Sequence, residues 1–410
     1  MGPKRDNVWR EDGILDKFPK DGPKVLWRVP IGGGYSSPSI ANGKVYVTDF
    51  LTKGDNTKEV YSRTNFDGKE RILCLDAKTG KEIWKYEYNR KYTISFPNGP
   101  RSAPTVDEDR VYTLGAEGDF VCLDANKGTL IWKKDFQQDY NAKTALWGHA
   151  SHPLIFGNLV ISLVGGENAC VVAWDKKTGK EAWKSLNARE PGYGTVAVLE
   201  DQGQAALMVW NSEGVYALDP ESGKKFWEVP LKPTNGASIM SPMKVGKYFF
   251  VSGYDGVGQG MLWKSLREAP ELLWKGKKGG LGVFPVNCQP FAEGDYIYGV
   301  DYDGDLRCIE LATGKRVWET FDYVQGKKAP CGSVFLVKHQ DRFFMFNEKG
   351  ELIIAKLNNK DHEELDRKKI IEPTGTSFGR SVVFCSPAFA QRCVFVRNDK
   401  EIICVSLAKE

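Results

Sequence analysis

No run in the 410 residues approaches 18 consecutive apolar side chains, so no segment is a candidate membrane-spanning helix. Histidine is scarce, at four, and the nine cysteines include neither an adjacent pair nor a Cys-x-x-Cys. That argues against a disulfide framework and against a zinc ribbon. An excess of charge of one sign is also missing. The 57 Lys and Arg and 53 Asp and Glu are scattered along the chain and leave a net charge of +4. With no arginine-rich run and no RNA-reading motif, nucleic acid is excluded as a partner. The opening MGPKRDNVWREDGILDKFPKDGP has no apolar core and does not read as a signal peptide. The expectation is therefore either a cytosolic chain or one whose leader has been removed ahead of Met1.

What is present is a soluble, globular composition, 41% apolar and 27% charged. Length alone would suggest two or three domains, but an internal repeat overrides it. The stretches LDAKTGKEIW, LDANKGTLIW, WDKKTGKEAW, LDPESGKKFW and IELATGKRVW each carry an acid, a glycine four residues on and a tryptophan four further. The sets are Asp76/Gly80/Trp84, Asp124/Gly128/Trp132, Asp175/Gly179/Trp183, Asp219/Gly223/Trp227 and Glu310/Gly314/Trp318. The first four tryptophans are 48, 51 and 44 residues apart, and Trp274 lies midway in the double gap from Trp227 to Trp318.

Within each period the pattern is short strands; in the first, alternating apolar segments are split by Asn-Gly and Asp-Gly, which are hairpin signals. Four strands in a period of about 45 residues describe a propeller blade. The acid–glycine–tryptophan segment is then the turn from the third to the fourth strand, with the indole packed between blades. The predicted fold is all-β, an eight-bladed propeller of four-stranded antiparallel blades. Residues 1–23 form an N-terminal extension, and 24–410 form a single domain. The last blade has only three strands (SPAFA, CVFVRND, EIICVSL), and its missing fourth strand with Trp27 is KVLWRVP, residues 24–30. The two ends thus close the ring by sharing a blade, which removes open edges. Blade five lacks the glycine and blade seven the tryptophan, so these should be the least regular. A charged insertion, 51–65, interrupts blade one.

The repeated LDAxTGKxxW resembles the tryptophan-docking repeat of pyrroloquinoline-quinone (PQQ)-type propellers. It is most similar to the small eight-bladed members related to the outer-membrane assembly scaffold BamB, from about residue 24 to the end. The start GPKRDNVW followed by GGGYSSPSIANGKVYVTD looks like that of exported, planctomycete-type members, which implies a periplasmic or otherwise exported protein. The fold follows from the repeat, while function resides in the site built on it.

Several local patterns have plain structural readings. Cys74, Cys122, Cys308 and Cys404 recur at one repeat position, as small apolar packing residues would. DYDGDLRC (301–308) falls at a hairpin turn and lacks the glycine and glutamate that a hand-type calcium loop needs. GYDGVGQG (253–260) has no following helix to cradle a phosphate. ALWGHASHP (145–153) lines up with the runs into the innermost strands, which surround a propeller's central channel. On a strand, residues three apart face opposite ways, so His149 and His152 are not expected to share a metal; one should face the channel and the other a neighbouring blade. The candidate ligand-binding residues at the mouth are Tyr35, Arg101, Trp147, His149, His152, Tyr193, Asn287 and Arg380, with Ser238 and Cys331 at equivalent positions. Arg101 and Arg380 would suit an anion.

Three functions follow. The first is a non-catalytic binding or scaffold propeller, monomeric and cofactor-free, that engages a protein segment or a glycan through the channel mouth or blade loops. The second is a PQQ- and calcium-dependent alcohol or sugar dehydrogenase. The resemblance implies a carboxylate base and a vicinal disulfide for that activity, and this chain lacks the cysteine pair and nearly all acids in the inner runs. The third is a polysaccharide hydrolase or lyase with His149 or His152 as general base.

Overall fold

Short turns divide each period into four antiparallel strands, and the strands lie in the order of the chain from the axis outward. In blade one Asn42-Gly43 makes the first of these turns, but Asp67-Gly68, expected at a turn, lies within the strand Phe66–Asp76, where Gly68 pairs on both sides. The computed structural model describes residues 2, 4–56 and 60–409. Seven blades occupy residues 39–92, 105–135, 154–185, 197–230, 243–275, 291–320 and 334–369. The eighth is built from both ends of the chain. Val25–Pro30 pairs antiparallel with Glu401–Ser406, which pairs with Cys393–Arg397 and then Ala388–Ala390. The protein is an eight-bladed β-propeller with almost no helix.

The repeat residues join neighbouring blades. Asp76 accepts the N–H groups of Lys78 and Thr79, and Asp124 those of Asn126 and Lys127, which fixes the turn between the outer two strands. Asp175 and Asp219 do the same in their blades. Glu310, one carbon longer, instead accepts the Thr313 hydroxyl at 2.6 Å. The indole of Trp84 then lies on the next blade's Gly128 and donates to the carbonyl of Ala125, the residue after that blade's turn acid, at 3.1 Å. Gly128 has φ +69°, and a Cβ there would come within 2.5 Å of the indole. Both the turn and the tryptophan therefore require glycine.

The other four repeat glycines stand in the same relation to a neighbour. Gly80 lies under Trp27, Gly179 under Trp132, Gly223 under Trp183 and Gly314 under Trp274, each the tryptophan of the preceding blade. The glycine of one repeat thus serves the indole of the one before it, and not the tryptophan four residues on in its own set. Gly80, Gly179, Gly223 and Gly314 are docking positions at the blade seams, and none lines the central cavity described below. The indole-to-carbonyl bond likewise recurs from Trp27, Trp132, Trp183, Trp227, Trp274 and Trp318.

The recurrent cysteines explain how three strands pack beneath these tryptophans. Cys74 sits between Tyr46 and Trp84 on its flanking strands, Cys122 between Tyr112 and Trp132, and Cys308 between Tyr298 and Trp318. A side chain this small lets the two large rings meet across it, with centroids 5.9–6.0 Å apart. All three thiols are buried.

Blades five and seven are complete four-stranded sheets, contrary to their expected irregularity. Only their seams differ. In blade five, Leu266 supplies the carbonyl for Trp227 without a glycine turn. In blade seven the register puts Asp366 opposite Ile354, just before the bulge, where other blades carry tryptophan. The N-terminal extension takes over that seam. Leu15 N–H bonds the carbonyl of Leu407, the position that elsewhere receives an indole N–H, at 2.8 Å. Phe18 N–H bonds the Asp366 carboxylate at 2.7 Å. Trp9, Ile14 and Phe18 are buried in one cluster with Phe344, Ile354, Ile403 and Val405 of blades seven and eight. The tryptophan missing from blade seven is thus replaced from elsewhere in the chain.

Three further elements stand outside the repeat. A short helix, Phe136–Tyr140, is capped by Asp135. A hairpin, Gly375–Ser377 with Arg380–Val382, precedes blade eight. The third is the insertion in blade one; its residues 57–59 lie outside the described residues. Its return, Val60–Thr64, runs beside 94–96, with Phe96 N–H on Val60 O and Thr64 N–H on Ile94 O, both at 3.2 Å.

Candidate functional site

The run into each inner strand ends at the axis, so eight such runs ring one cavity. It has a volume of about 590 Å³, and every blade contributes to its wall. Tyr35, Arg101, Trp147, His152, Tyr193, Asn287 and Cys331 line it, as the alignment of their runs anticipates. Residues Arg5–Val8 cross the channel beneath. Val8 pairs with Lys338 of blade seven, Arg5 donates to Pro153 O of blade three at 2.6 Å, and Asn7 contributes to the wall. The cavity is therefore a cup and not a tunnel.

Three of the residues singled out in the sequence are placed away from the wall. His149 is 3% exposed and packs edge-on against Phe136, with ring centroids 5.4 Å apart. Arg380 is paired with buried Glu348 at 2.9 Å and donates to Pro330 O. Ser238 is buried behind the wall. The two histidines thus face different surroundings. His152 accepts Ala103 N–H at Nδ1, 2.9 Å away, which leaves its proton on Nε2 as a donor. Burial, reinforced by Arg5, lowers its pKa to about 3, and burial with Arg90 lowers that of His149 to about 4. Both rings are neutral near pH 7. Neither has the near-neutral pKa of a general base.

Arg101 lines the cavity, but its guanidinium works within the wall. It donates to the carbonyls of Gly99, Ser95 and Phe96 and lies 4.9 Å over the Tyr35 ring. The polar side chains of the wall are similarly occupied. Asn287 donates to Cys331 O, Gln289 bonds both backbone groups of Ser241, Ser241 donates to Thr195 O, and Thr195 accepts His152 N–H. No Asp or Glu is among the described residues of the wall, and no group of three or more metal-ligating side chains occurs among the described residues. PQQ, an anionic quinone held through a divalent metal, therefore finds neither a carboxylate for its metal nor an uncommitted guanidinium here. The residues present do not fit it.

Aromatic side chains dominate what remains. Trp147 and Tyr193 meet at 5.3 Å and Tyr254 and Tyr302 at 5.4 Å, and Tyr61 touches both Phe96 and Phe378. Reasoning from the sequence alone misses five of these seven rings. Tyr254 and Tyr302 had a usable signal, since both stand in a Tyr-Asp-Gly at the same hairpin turn of successive blades. Tyr61, Phe96 and Phe378 lie outside the repeat and had none.

The profile of a family described as outer membrane protein assembly factor BamB matches residues 68–320 and 211–410. BamB from Shewanella oneidensis is 23% identical over 197 residues, which is 46% of this chain and 48% of that protein. The match thus spans about half of that relative. Among solved structures, BamB from Moraxella catarrhalis superposes with a TM-score of 0.61 at 13% identity, over 93% of this chain and 97% of that one. The quinohemoprotein alcohol dehydrogenase ADHIIG from Pseudomonas putida gives 0.58 at 13% identity, over 94% and 76%. The computationally designed Ika8 protein gives 0.57 at 12%, over 94% and 100%. At such identities these three likenesses establish the fold and nothing further.

Proposed function

The chain belongs to the family of the outer membrane protein assembly factor BamB, and from that premise we propose that it is a non-catalytic binding propeller that holds a segment of a partner protein at the mouth of its channel. The observation that carries this reading is the cavity itself. It is a cup to which all eight blades contribute, lined largely by aromatic and apolar groups and, among the described residues, by no carboxylate. An occupant would be recognised by buried apolar surface and shape, as in ligand sites generally. A glycan is the weaker candidate, because sugar hydroxyls need uncommitted hydrogen-bonding side chains and those of this wall are largely paired with one another. The family premise also supports export and an assembly role at the outer membrane. The dehydrogenase reading has the likeness in fold but not the donor set. The hydrolase reading needs a basic histidine that burial has removed.

The test is calorimetric titration of the full chain with three sets of probes. These are end-capped peptides rich in apolar residues, neutral oligosaccharides, and PQQ with and without calcium. Saturable binding of peptides alone, lost in Trp147→Ala, is the expected result. Tight binding of PQQ with dye-linked alcohol oxidation would overturn the proposal, and so would selective binding of oligosaccharides.

A further inference from the structure

A repeat protein builds its scaffold from what recurs, so segments that depart from the repeat and converge on one place call for a separate account. The blade-one insertion, the loop before blade two and the hairpin before blade eight all reach the cavity, and each brings an aromatic ring there: Tyr61, Phe96 and Phe378. Tyr61 stands perpendicular to Phe96, with centroids 5.4 Å apart, and is tilted against Phe378 at 5.8 Å. The backbone holds the rings at a cost. Phe96 has φ +49° and Phe378 φ +46°, left-handed conformations that a bulky side chain seldom adopts. Phe378 heads a two-residue hairpin turn with Gly379, at φ +71°, a place that ordinarily takes Asn or Gly. Yet the residue is 43% exposed, so burial in the fold offsets only part of that strain. Strain of this kind persists where surrounding structure imposes it and gathers at ligand clamps. The loop around Phe96 is imposed by Arg101, which gathers the carbonyls of Ser95, Phe96 and Gly99.

We propose that Tyr61, Phe96 and Phe378 form a clamp that grips one uncharged aromatic side chain of the partner protein, presented end-on at a turn or chain tip. This rests on the reading of the mouth as a protein-binding site. An aromatic occupant is favoured because Tyr61 already meets Phe96 edge-on and Phe378 at a tilt, and a further ring continues that arrangement. An uncharged one is favoured because no Asp or Glu stands among the described residues of the wall and the Arg101 guanidinium is held by loop carbonyls. End-on entry follows from the closed floor, since a continuous strand has no exit past Arg5–Val8.

The test uses N-acetyl-L-phenylalaninamide and N-acetyl-L-leucinamide as probes, measured by calorimetry on the full chain and on Phe378→Asn and Tyr61→Ala. The phenylalanine probe should bind at least fivefold more tightly than the leucine probe. That binding should weaken at least fivefold in each variant, while the melting temperature of Phe378→Asn stays level or rises. A lower melting temperature in Phe378→Asn would make the ring structural and overturn the clamp, as would unchanged affinity in both variants. Equal binding of the two probes would overturn the aromatic specificity. Binding of neither probe, nor of any longer capped peptide, would instead remove the protein-binding reading beneath it.

Discussion

The seam between blades seven and eight offers the sharpest test of how this ring stays closed. If the N-terminal extension replaces the missing docking tryptophan, then Phe18→Ala should behave as the loss of a core aromatic, although residue 18 lies outside the blades. The side chain is 8% exposed and packs into the shared cluster of the two blades. Truncating a buried phenylalanine costs about 3–5 kcal/mol. The bond from Phe18 N–H to Asp366 is retained, so the ring alone is removed. Being at the margin of the ring, the site should fall near the lower end, about 3 kcal/mol by the same measure. Because Phe18 packs into this seam alone, the loss should appear first as local opening. Amide exchange in Glu401–Ser406 should quicken by about 100-fold, at roughly 1.4 kcal/mol per factor of ten, while Ala169–Asp175 of blade three changes little. Leu26→Ala, at a side chain 44% exposed, is the control and should stay within about 0.5 kcal/mol. If Phe18→Ala matches Leu26→Ala in urea unfolding, or if exchange quickens equally in both blades, the clasp is refuted.

Gly128→Ala should lose about 3 kcal/mol in urea unfolding, because it combines a left-handed φ with a Cβ driven into Trp84. Gly43→Ala shares the φ but has nothing within 4 Å, so it should cost only about 1 kcal/mol, and equal losses would remove the docking argument. Acid should destabilise the fold through its buried neutral histidines. The unfolded chain takes up protons from pH 6.5 downward while native His149 resists until about pH 4, so its contribution, about 3 kcal/mol, is complete above pH 6.5 and lost as pH falls toward 4. In His149→Gln the stability profile over that window should be flatter, and parallel profiles would contradict this. Maleimide should label one thiol quickly in the folded protein, Cys331 at the cavity wall, since the other eight are buried. Burial pushes Cys74, Cys122 and Cys170 up to about 12. Several fast thiols would show that the blades open.

The eight blades, the shared final blade and the docking role of Trp27 and its counterparts were all legible, because each is a local pattern repeated at a fixed period. The pairing of five of the tryptophans with the following repeat's glycine, such as Trp27 with Gly80, was not, because it crosses from one blade to the next. The cysteines were legible, since recurrence at one strand position marks packing. The mouth was legible only in part. Tyr35, Arg101, Trp147, His152, Tyr193 and Asn287 line the cavity because the runs that carry them end at the axis. The chemistry of Arg101 and Arg380 was not legible, because their partners are the carbonyls of a folded loop and the buried Glu348. His149 was displaced from the mouth by its packing on Phe136, part of a helix outside the repeat.

By itself, then, the sequence determined the architecture, because alternation, turn residues and the spacing of tryptophans act within a single blade and need no knowledge of distant partners. Only the tertiary structure decided what the N-terminal extension does and which rings meet at the mouth. Those outcomes depend on contacts between residues hundreds of positions apart, such as Phe18 with Asp366 and Tyr61 with Phe378. No periodicity encodes such a meeting. It exists only once the ring has closed and brought the irregular segments to its axis.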